Sequence, residues 1–470
     1  MESDQLSRQW AEKTGHFLKS IRAEIFQITG SNLEKLEIES KDNNLLVYLK
    51  GKGDPPWSII PFKDTSLQDA YPMLYKHFKK QLQFLSLPWG GLQGVRPTKL
   101  MHRQLESGLS VDEAISYMVS KYDLEFERAR LLGEIATVQR EYLKKIPNSI
   151  GLYIGIPFCP SRCLYCSFPG EVLPQKQQEM EVFLNALAED MNAVSQWIKK
   201  NNVRISSLYI GGGTPTSLPD VLFEQLLSQI HFNFDLSELT EFSLEAGRPE
   251  TLSKEKLRLA FSAGIRRISV NPQSMHQETL DKIGRNHKIE EIISAYYETR
   301  SRGFSVINMD LIAGLPEEAT LDFMDSLKRI VDLKPENITI HSLALKKGSK
   351  WLEQNQNAPC GSIMREMVEN GRSYLSSRGW KPYYLYRQRN SPGHLENIGY
   401  AVSGTESLYN IQMMEETHTI IGMGPGSATK KQSNRGRISS YHFPKERKLY
   451  QENIHEYLKR RSKILENDFE

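Results

Sequence analysis

The spacing of apolar positions along this chain changes twice, and each change predicts a different kind of element. In residues 1–148 the segments LEKLEIES and NNLLVYLKG alternate apolar and polar side chains on either side of Lys41-Asp42-Asn43. Alternation buries one face of a strand, and the Lys-Asp-Asn step favours a turn, so a hairpin is predicted there. Ser110 followed by Glu113 is a capping box that opens an amphipathic helix, and a second helical stretch runs over Phe126–Ile146. Between hairpin and helices lies the Gly-rich run Trp89-Gly-Gly-Leu-Gln-Gly-Val-Arg-Pro-Thr-Lys99. It lacks the G-x4-G-K-[ST] spacing of a phosphate loop and reads as a structured turn.

From 149 to 345 the pattern becomes short β-rich runs separated by helical stretches. The strand candidates are Leu152–Ile156, Ser207–Ile210, Glu241–Glu245, Arg267–Asn271, Val306–Ile312 and Asn337–His341. Helical periodicity falls over Lys176–Lys199, Val221–Ile230, Lys254–Ala263, Ile289–Arg302 and Leu321–Leu333. Repeated βα units predict an α/β fold with a parallel sheet, as either an open doubly wound sheet or a full or partial barrel. In both architectures ligands gather at the C-terminal ends of the strands. Cys159, Gly211, Glu245, Gln273 and Asp310 all stand at such ends. Residues 346–470 do not repeat the unit and read as a C-terminal α+β lobe. The expected organisation is an N-terminal α+β domain over 1–148, a core over 149–345 and a lobe over 346–470.

Composition narrows the class. With 39% hydrophobic and 25% charged residues and a mean hydropathy of −0.49, the expectation is a soluble globular protein. The opening MESDQLSRQWAEK has neither the basic start nor the apolar run of a secretory leader, and no stretch reaches membrane-spanning length. A formal charge of +3 argues for no nucleic-acid partner. Lys and Arg crowd the stretch from Lys430 to Lys463, but Glu446, Glu452 and Glu456 interleave with them, as on a solvated helical face. Of the four cysteines, Cys159, Cys163 and Cys166 stand close together, so no framework of disulfides is expected and the compartment reads as reducing, hence cytoplasmic.

The spacing C-x3-C-x2-C carries the chemistry. A [4Fe–4S] cube takes thiolate ligands, usually four, and three would leave one iron open to chelate a small molecule. Structural zinc is the alternative, but it needs a fourth ligand and no His or Cys lies close by in sequence. Cys360 reads as an incidental thiol, and one extra cysteine cannot build a second cluster.

The run Tyr153-Ile-Gly-Ile-Pro-Phe-Cys-Pro-Ser-Arg-Cys-Leu-Tyr-Cys166 resembles the opening of radical S-adenosylmethionine (SAM) proteins of the oxygen-independent coproporphyrinogen III oxidase family. Gly211-Gly-Gly-Thr-Pro-Thr216, Ser243-Leu-Glu245, Asn271-Pro-Gln-Ser274, Ile283-Gly-Arg-Asn-His287 and Asn308-Met-Asp-Leu-Ile-Ala-Gly-Leu-Pro316 agree with it in order. The added N-terminal domain and the stretch Tyr383-Tyr-Leu-Tyr-Arg387 are similar to the HemZ-type branch. The resemblance implies a partial (β/α)6 barrel, one [4Fe–4S] cluster on Cys159, Cys163 and Cys166, and SAM bound to the open iron through its amino and carboxylate groups. One electron would cleave SAM, and the resulting 5′-deoxyadenosyl radical would take hydrogen from the substrate. By the same resemblance Tyr153 lies near the SAM carboxylate and Tyr165 by the adenine. Gly212, Gly213 and Thr214 let the backbone approach the methionine part, Glu245 takes the amino group, Arg285 the carboxylate, and Gln273 and Asp310 the ribose hydroxyls.

The implied reaction converts coproporphyrinogen III to protoporphyrinogen IX in haem biosynthesis, with an external electron donor and acceptor. For a tetrapyrrole substrate, Tyr383, Tyr384, Tyr386, Arg387 and Arg389 supply aromatic surface and cations, although a tyrosine-bearing strand with solvent-facing arginines is an equal reading. Three departures bear on the substrate. Gly155 stands where the oxidases usually carry His, Phe168 where they carry a further Cys, and no oxidase-type N-terminal strap is recognisable in 1–148. The Cys-x-Phe ending is shared with the haem chaperone branch. A haem-binding and delivery protein, or radical chemistry on another molecule, therefore stays open.

Overall fold

The computed structural model describes residues 9–15, 17–18, 37–41, 44–48, 58–61, 70–82, 87–94, 96–143, 148–167, 170–344, 346, 348–353, 359–388, 391–433 and 437–466. By compactness the chain divides into two units, Met1–Glu134 and Ile135–Glu470.

In the first unit, β1 (Glu37–Lys41) and β2 (Asn44–Tyr48) form the expected antiparallel hairpin, closed by the pair Lys41↔Asn44, with turn residues 42 and 43 outside the described residues. A third strand that the alternation did not suggest, β3 (Ser58–Pro61), pairs with β2 and turns Ser58 and Ile60 inward. Trp10, Phe17, Leu45, Val47, Ile60, Leu74 and Phe78 form the core against the helix Ala70–Leu82. The capping box opens the helix Val111–Tyr122 as read from sequence: the Glu113 amide donates to Ser110 Oγ at 3.3 Å and the Ser110 amide to Glu113 Oε2 at 2.8 Å. The Gly-rich run is a turn whose amides are taken by its own unit, with Gly91 N–H on Tyr122 O at 2.8 Å and Leu92 N–H on Trp89 O at 2.9 Å. The next helix ends at Gln139, short of the expected Ile146, and residues 144–147 lie outside the described residues.

The second unit is built on one large sheet. Its parallel strands are β4 (Ser149–Ile156), β7 (Arg204–Gly212), β8 (Glu241–Glu245), β9 (Arg267–Ser269), β10 (Val306–Ala313) and β11 (Asn337–Ser342), each hydrogen-bonded to the next in chain order. A doubly wound sheet would reverse its order at a switch point. Here the order never reverses, so of the two architectures left open by the sequence, the molecule adopts the partial barrel. The helices Gln177–Asn201, Asp220–Asn233, Lys254–Ser262, Ile289–Ser301 and Thr320–Leu333 follow the strands close to their expected bounds. Between β9 and Ile289–Ser301 there is one further short helix, Gln277–Lys282. Ile154, Ile156, Leu208, Ile210, Leu311 and Ile340 are fully or almost fully buried. Each such side chain contributes about 1.5–3 kcal/mol on leaving water.

Residues 346–470 add their strands to this same sheet rather than building one of their own. β12 (Lys381–Arg387) and β13 (Glu396–Ala401) extend the β11 edge antiparallel. β14 (Thr419–Met423) lies parallel to β4, followed by β15 (Ala428–Gln432) and β16 (Ile438–His442). A small parallel pair, β5 (Phe158–Cys159) with β6 (Glu171–Val172), frames the cysteine loop. The C-terminal helix Ile454–Glu466 is tied down by a buried pair, Arg461 Nη1 to Asp190 Oδ1 at 2.5 Å. Tyr450 Oη adds a hydrogen bond to Asp190 Oδ2 at 2.6 Å.

Candidate functional site

Cys159 ends β5, just past the C-terminal end of β4, and Cys163 and Cys166 follow in a turn closed by the Cys166 amide on Cys163 O at 3.3 Å. The turn is braced from outside. Leu164 N–H donates to Ile283 O at 2.9 Å, Trp351 N–H to Leu164 O at 3.0 Å, and Ser161 Oγ to Gly284 O at 2.9 Å. The segment Ile283–Gly284 of the later motif thus acts as a backbone clamp on the cysteine loop.

The Gly-Gly-Thr segment at the end of β7 presses on the loop from the other side. Gly212 has φ +110°, a region open to glycine at little cost. A Cβ on Gly213 would stand 2.6 Å from Phe158 O and 3.0 Å from Cys159 Sγ, so only glycine permits this approach. Thr214 Oγ1 donates to Cys159 Sγ at 3.6 Å. Arg248, almost fully buried, donates from Nη1 to Cys163 Sγ at 3.1 Å and from Nη2 to Ser161 Oγ at 2.8 Å.

Glu245 ends β8 and faces the barrel interior beside Gly212, whose amide donates to its Oε2 at 3.4 Å. Burial, reinforced by the nearby Asp310 carboxylate, pushes its carboxyl up to about 7. Asp310, on β10, behaves oppositely. Burial raises it, but His341, Asn308 and Thr339 outweigh burial and hold it below its ordinary value. Asn308 Nδ2 donates to Asp310 Oδ1 at 2.7 Å, and His341 Nε2 lies 3.6 Å from Asp310 Oδ2. His341 Nδ1 in turn lies 3.3 Å from Tyr386 Oη on β12. Two carboxyl groups with pKa values pushed apart therefore share the mouth of the barrel.

Tyr153 stacks with Tyr209, ring centroids 6.1 Å apart, and both stack with Tyr409 at 6.3 and 4.7 Å. Glu245 lies within electrostatic reach of all three. Gln273 adopts φ +70° and inserts between β10 positions, its amide on Asp310 O at 2.9 Å and its carbonyl taking Ile312 N–H at 3.1 Å. Tyr165 is held near Cys163, Cys166 and Arg285. The Arg285 guanidinium caps the carbonyls of Gly247, Asn271 (2.8 Å) and Pro272 (3.4 Å), while its buried Nε has no hydrogen-bond partner.

The structure therefore brings Glu245 and Asp310 within electrostatic reach of each other, with the Gln273 backbone hydrogen-bonded to Asp310 and Tyr153 in the aromatic stack beside Glu245. Of the tyrosines on β12, Tyr384 and Tyr386 stack in parallel 6.5 Å apart, and Tyr384 Oη lies 3.4 Å from Thr339 Oγ1. Tyr383 instead contacts Asn410 of the helix Leu408–Glu415. Arg387 is half-buried at the end of β12, whereas Phe168 and Arg389 lie outside the described residues. Sequence reasoning missed Tyr209, Arg248, His341 and Tyr409. Tyr209 and His341 could have been found from strand alternation, since each shares a face and a strand end with the motif residues; Arg248 and Tyr409 carry no such signal.

The thiols fit an iron–sulfur group. Three soft donors converge on one loop, a buried guanidinium faces one of them, and Gly213 keeps the space beside Cys159 free of a side chain. Among the described residues, no three His, Cys, Asp or Glu side chains are placed to hold a single metal ion. No described helix is long and apolar enough to cross a membrane.

Comparison with known proteins agrees with this geometry. Residues 153–330 match the family model of the radical SAM superfamily. The oxygen-independent coproporphyrinogen-III oxidase-like protein HemZ of Bacillus subtilis is 39% identical over 81% of this chain and 78% of its own length. The heme chaperone HemW of the same organism is 30% identical over 58% of this chain and 69% of its own. Among solved structures, coproporphyrinogen III oxidase (HemN) from Escherichia coli shares the fold with a TM-score of 0.53 at 21% identity, over 68% of this chain and 72% of that one.

Proposed function

The chain belongs to the radical SAM family that includes the oxidase-like protein HemZ, and from that premise we propose that it catalyses oxygen-independent oxidative decarboxylation of coproporphyrinogen III to protoporphyrinogen IX. The observation that carries this reading is the 39% identity to an oxidase-like relative over 81% of a chain whose thiols and carboxyls share one barrel mouth. In this reading Cys159, Cys163 and Cys166 hold one [4Fe–4S] cluster, which with SAM supplies a carbon radical able to abstract hydrogen.

The protein's own residues bind, orient and exclude water. Glu245 receives a cationic amino group, which restores the carboxylate that burial disfavours. Asp310, kept ionised by His341 and Asn308, accepts ribose hydroxyls together with Gln273, and Arg285 offers its unpartnered Nε–H to a carboxylate. Tyr153 and Tyr165 wall the site. Tyr384 and Tyr386 offer flat apolar faces to a tetrapyrrole, with Arg387 a cation for a propionate at their edge. Each of two propionates gives up one hydrogen atom from its β-carbon, its carboxylate as carbon dioxide and one electron to an external acceptor. Each is left as a vinyl group. The reading also places the protein in a reducing, cytoplasmic setting.

Anaerobic incubation with SAM, a low-potential reductant, coproporphyrinogen III and an acceptor should release carbon dioxide together with 5′-deoxyadenosine, and Cys163→Ala should abolish both. Cleavage of SAM with the porphyrinogen unchanged overturns the reading. The likeness to the heme chaperone HemW and the Phe168 ending support haem delivery as the second reading. Its signature is a stoichiometric haem absorbance band with no turnover of porphyrinogen.

A further inference from the structure

Arg248 was not part of any motif, yet it is the side chain that reaches from the barrel onto the thiol of Cys163. Its guanidinium is held on every side. Nη1 donates to Cys163 Sγ at 3.1 Å, Nη2 to Ser161 Oγ at 2.8 Å, and Nε to Glu250 Oε1 at 2.7 Å. Behind it, His287 Nδ1 lies 2.8 Å from the other Glu250 oxygen, Oε2, and His287 is fully buried. Burial alone would raise the Glu250 carboxyl, but His287 and Arg248 outweigh it and hold the group at about 2, so it remains an anion. The result is a line of groups, Cys163, Arg248, Glu250 and His287, in which Arg248 and His287 are buried and which ends on a cysteine of the C-x3-C-x2-C loop. His287 closes the motif Ile283-Gly-Arg-Asn-His287, and its side chain has no direct use in the proposed chemistry.

Burying a guanidinium costs several kcal/mol unless it is paired and hydrogen-bonded. A surface arginine would hold the loop equally well through Ser161 alone. What burial adds is an undamped positive charge and a fixed N–H against one thiolate. Hydrogen bonds to the sulfurs and the net charge around an iron–sulfur cluster are the principal levers on its reduction potential. Reduction adds one electron to the cluster and makes it more negative, so a cation and an N–H···S bond favour the reduced form.

We propose that Arg248, oriented by Glu250 and His287, is a positioning residue that raises the reduction potential of the cluster held by Cys159, Cys163 and Cys166. It eases the entry of the electron from a low-potential donor. The inference rests on the cluster of the proposed function but not on its substrate. Removing the guanidinium leaves the cluster harder to reduce, and removing the Glu250 charge loosens the guanidinium and shifts the potential the same way by less.

The test is an anaerobic redox titration of the reconstituted full-length protein, followed by electron paramagnetic resonance of the reduced cluster, with no porphyrinogen present. Wild type is compared with Arg248→Lys, Arg248→Met and Glu250→Gln, each normalised to its iron and sulfide content. The reduction equilibrium of Arg248→Met should shift about tenfold or more toward the oxidised form, equivalent to about 59 mV for a one-electron couple. Arg248→Lys and Glu250→Gln should fall between it and wild type. Potentials equal to wild type in the variants that load iron fully overturn the proposal. If Arg248→Met does not fold, Arg248→Lys and Glu250→Gln decide the matter by the same criterion. Failure to decarboxylate coproporphyrinogen III leaves this measurement untouched, whereas a wild-type protein that takes up no cluster removes the ground of both.

Discussion

Glu245 and Gly213 show how single residues carry the site's physics. Glu245 has its carboxyl raised from an ordinary 4.5 to about 7 by burial and by Asp310. The folded state therefore holds that proton more tightly than the unfolded chain. The stabilisation is complete below about pH 4.5 and is lost as pH rises through about 7. Glu245→Gln should accordingly raise the thermal midpoint relative to wild type at pH 8 and change it little at pH 5. An equal shift at both pH values contradicts the assignment. Gly213→Ala makes a different prediction, because its Cβ would meet Phe158 O at 2.6 Å and Cys159 Sγ at 3.0 Å. Reconstituted iron per chain should fall by half or more while far-ultraviolet circular dichroism is retained. At this scale the cysteine trio was legible because its spacing is itself chemistry. Arg248 was not, since Cys163 lies 85 positions away and nothing in Glu-Ala-Gly-Arg-Pro-Glu distinguishes a buried guanidinium from a turn residue.

Among elements, those with a local period were read within a few residues, as the five long barrel helices and the hairpin of β1 and β2 demonstrate. Partnerships over long sequence separation were not. β14 is a short apolar run in a Gly-rich stretch, and no local signal tells it to lie parallel to β4. β12 and β13 likewise read as a separate lobe, because alternation reports that a strand has faces but not which sheet receives its edge. The helix Ile454–Glu466 depends on the buried pair Arg461–Asp190. Arg461→Met strands the Asp190 charge and should lower stability by about 3–5 kcal/mol, most of it regained in the double variant with Asp190→Asn. Equal thermal midpoints for Arg461→Met and wild type contradict that role.

The whole molecule joins a compact unit over Met1–Glu134 to a barrel unit over Ile135–Glu470. The barrel brings the cysteine loop, the Gly-Gly-Thr segment, the two carboxyls and the paired tyrosines of β12 to the C-terminal ends of its strands, as parallel βα architecture requires. In the proposed function a radical made at this mouth takes hydrogen from a porphyrinogen propionate. The direct measurement uses coproporphyrinogen III deuterated at the propionate β-carbons in an anaerobic turnover, with mass analysis of the 5′-deoxyadenosine and of the tetrapyrrole. One deuterium is expected in each 5′-deoxyadenosine formed, with loss of carbon dioxide to give vinyl groups. Unlabelled 5′-deoxyadenosine beside an unchanged porphyrinogen would contradict that function.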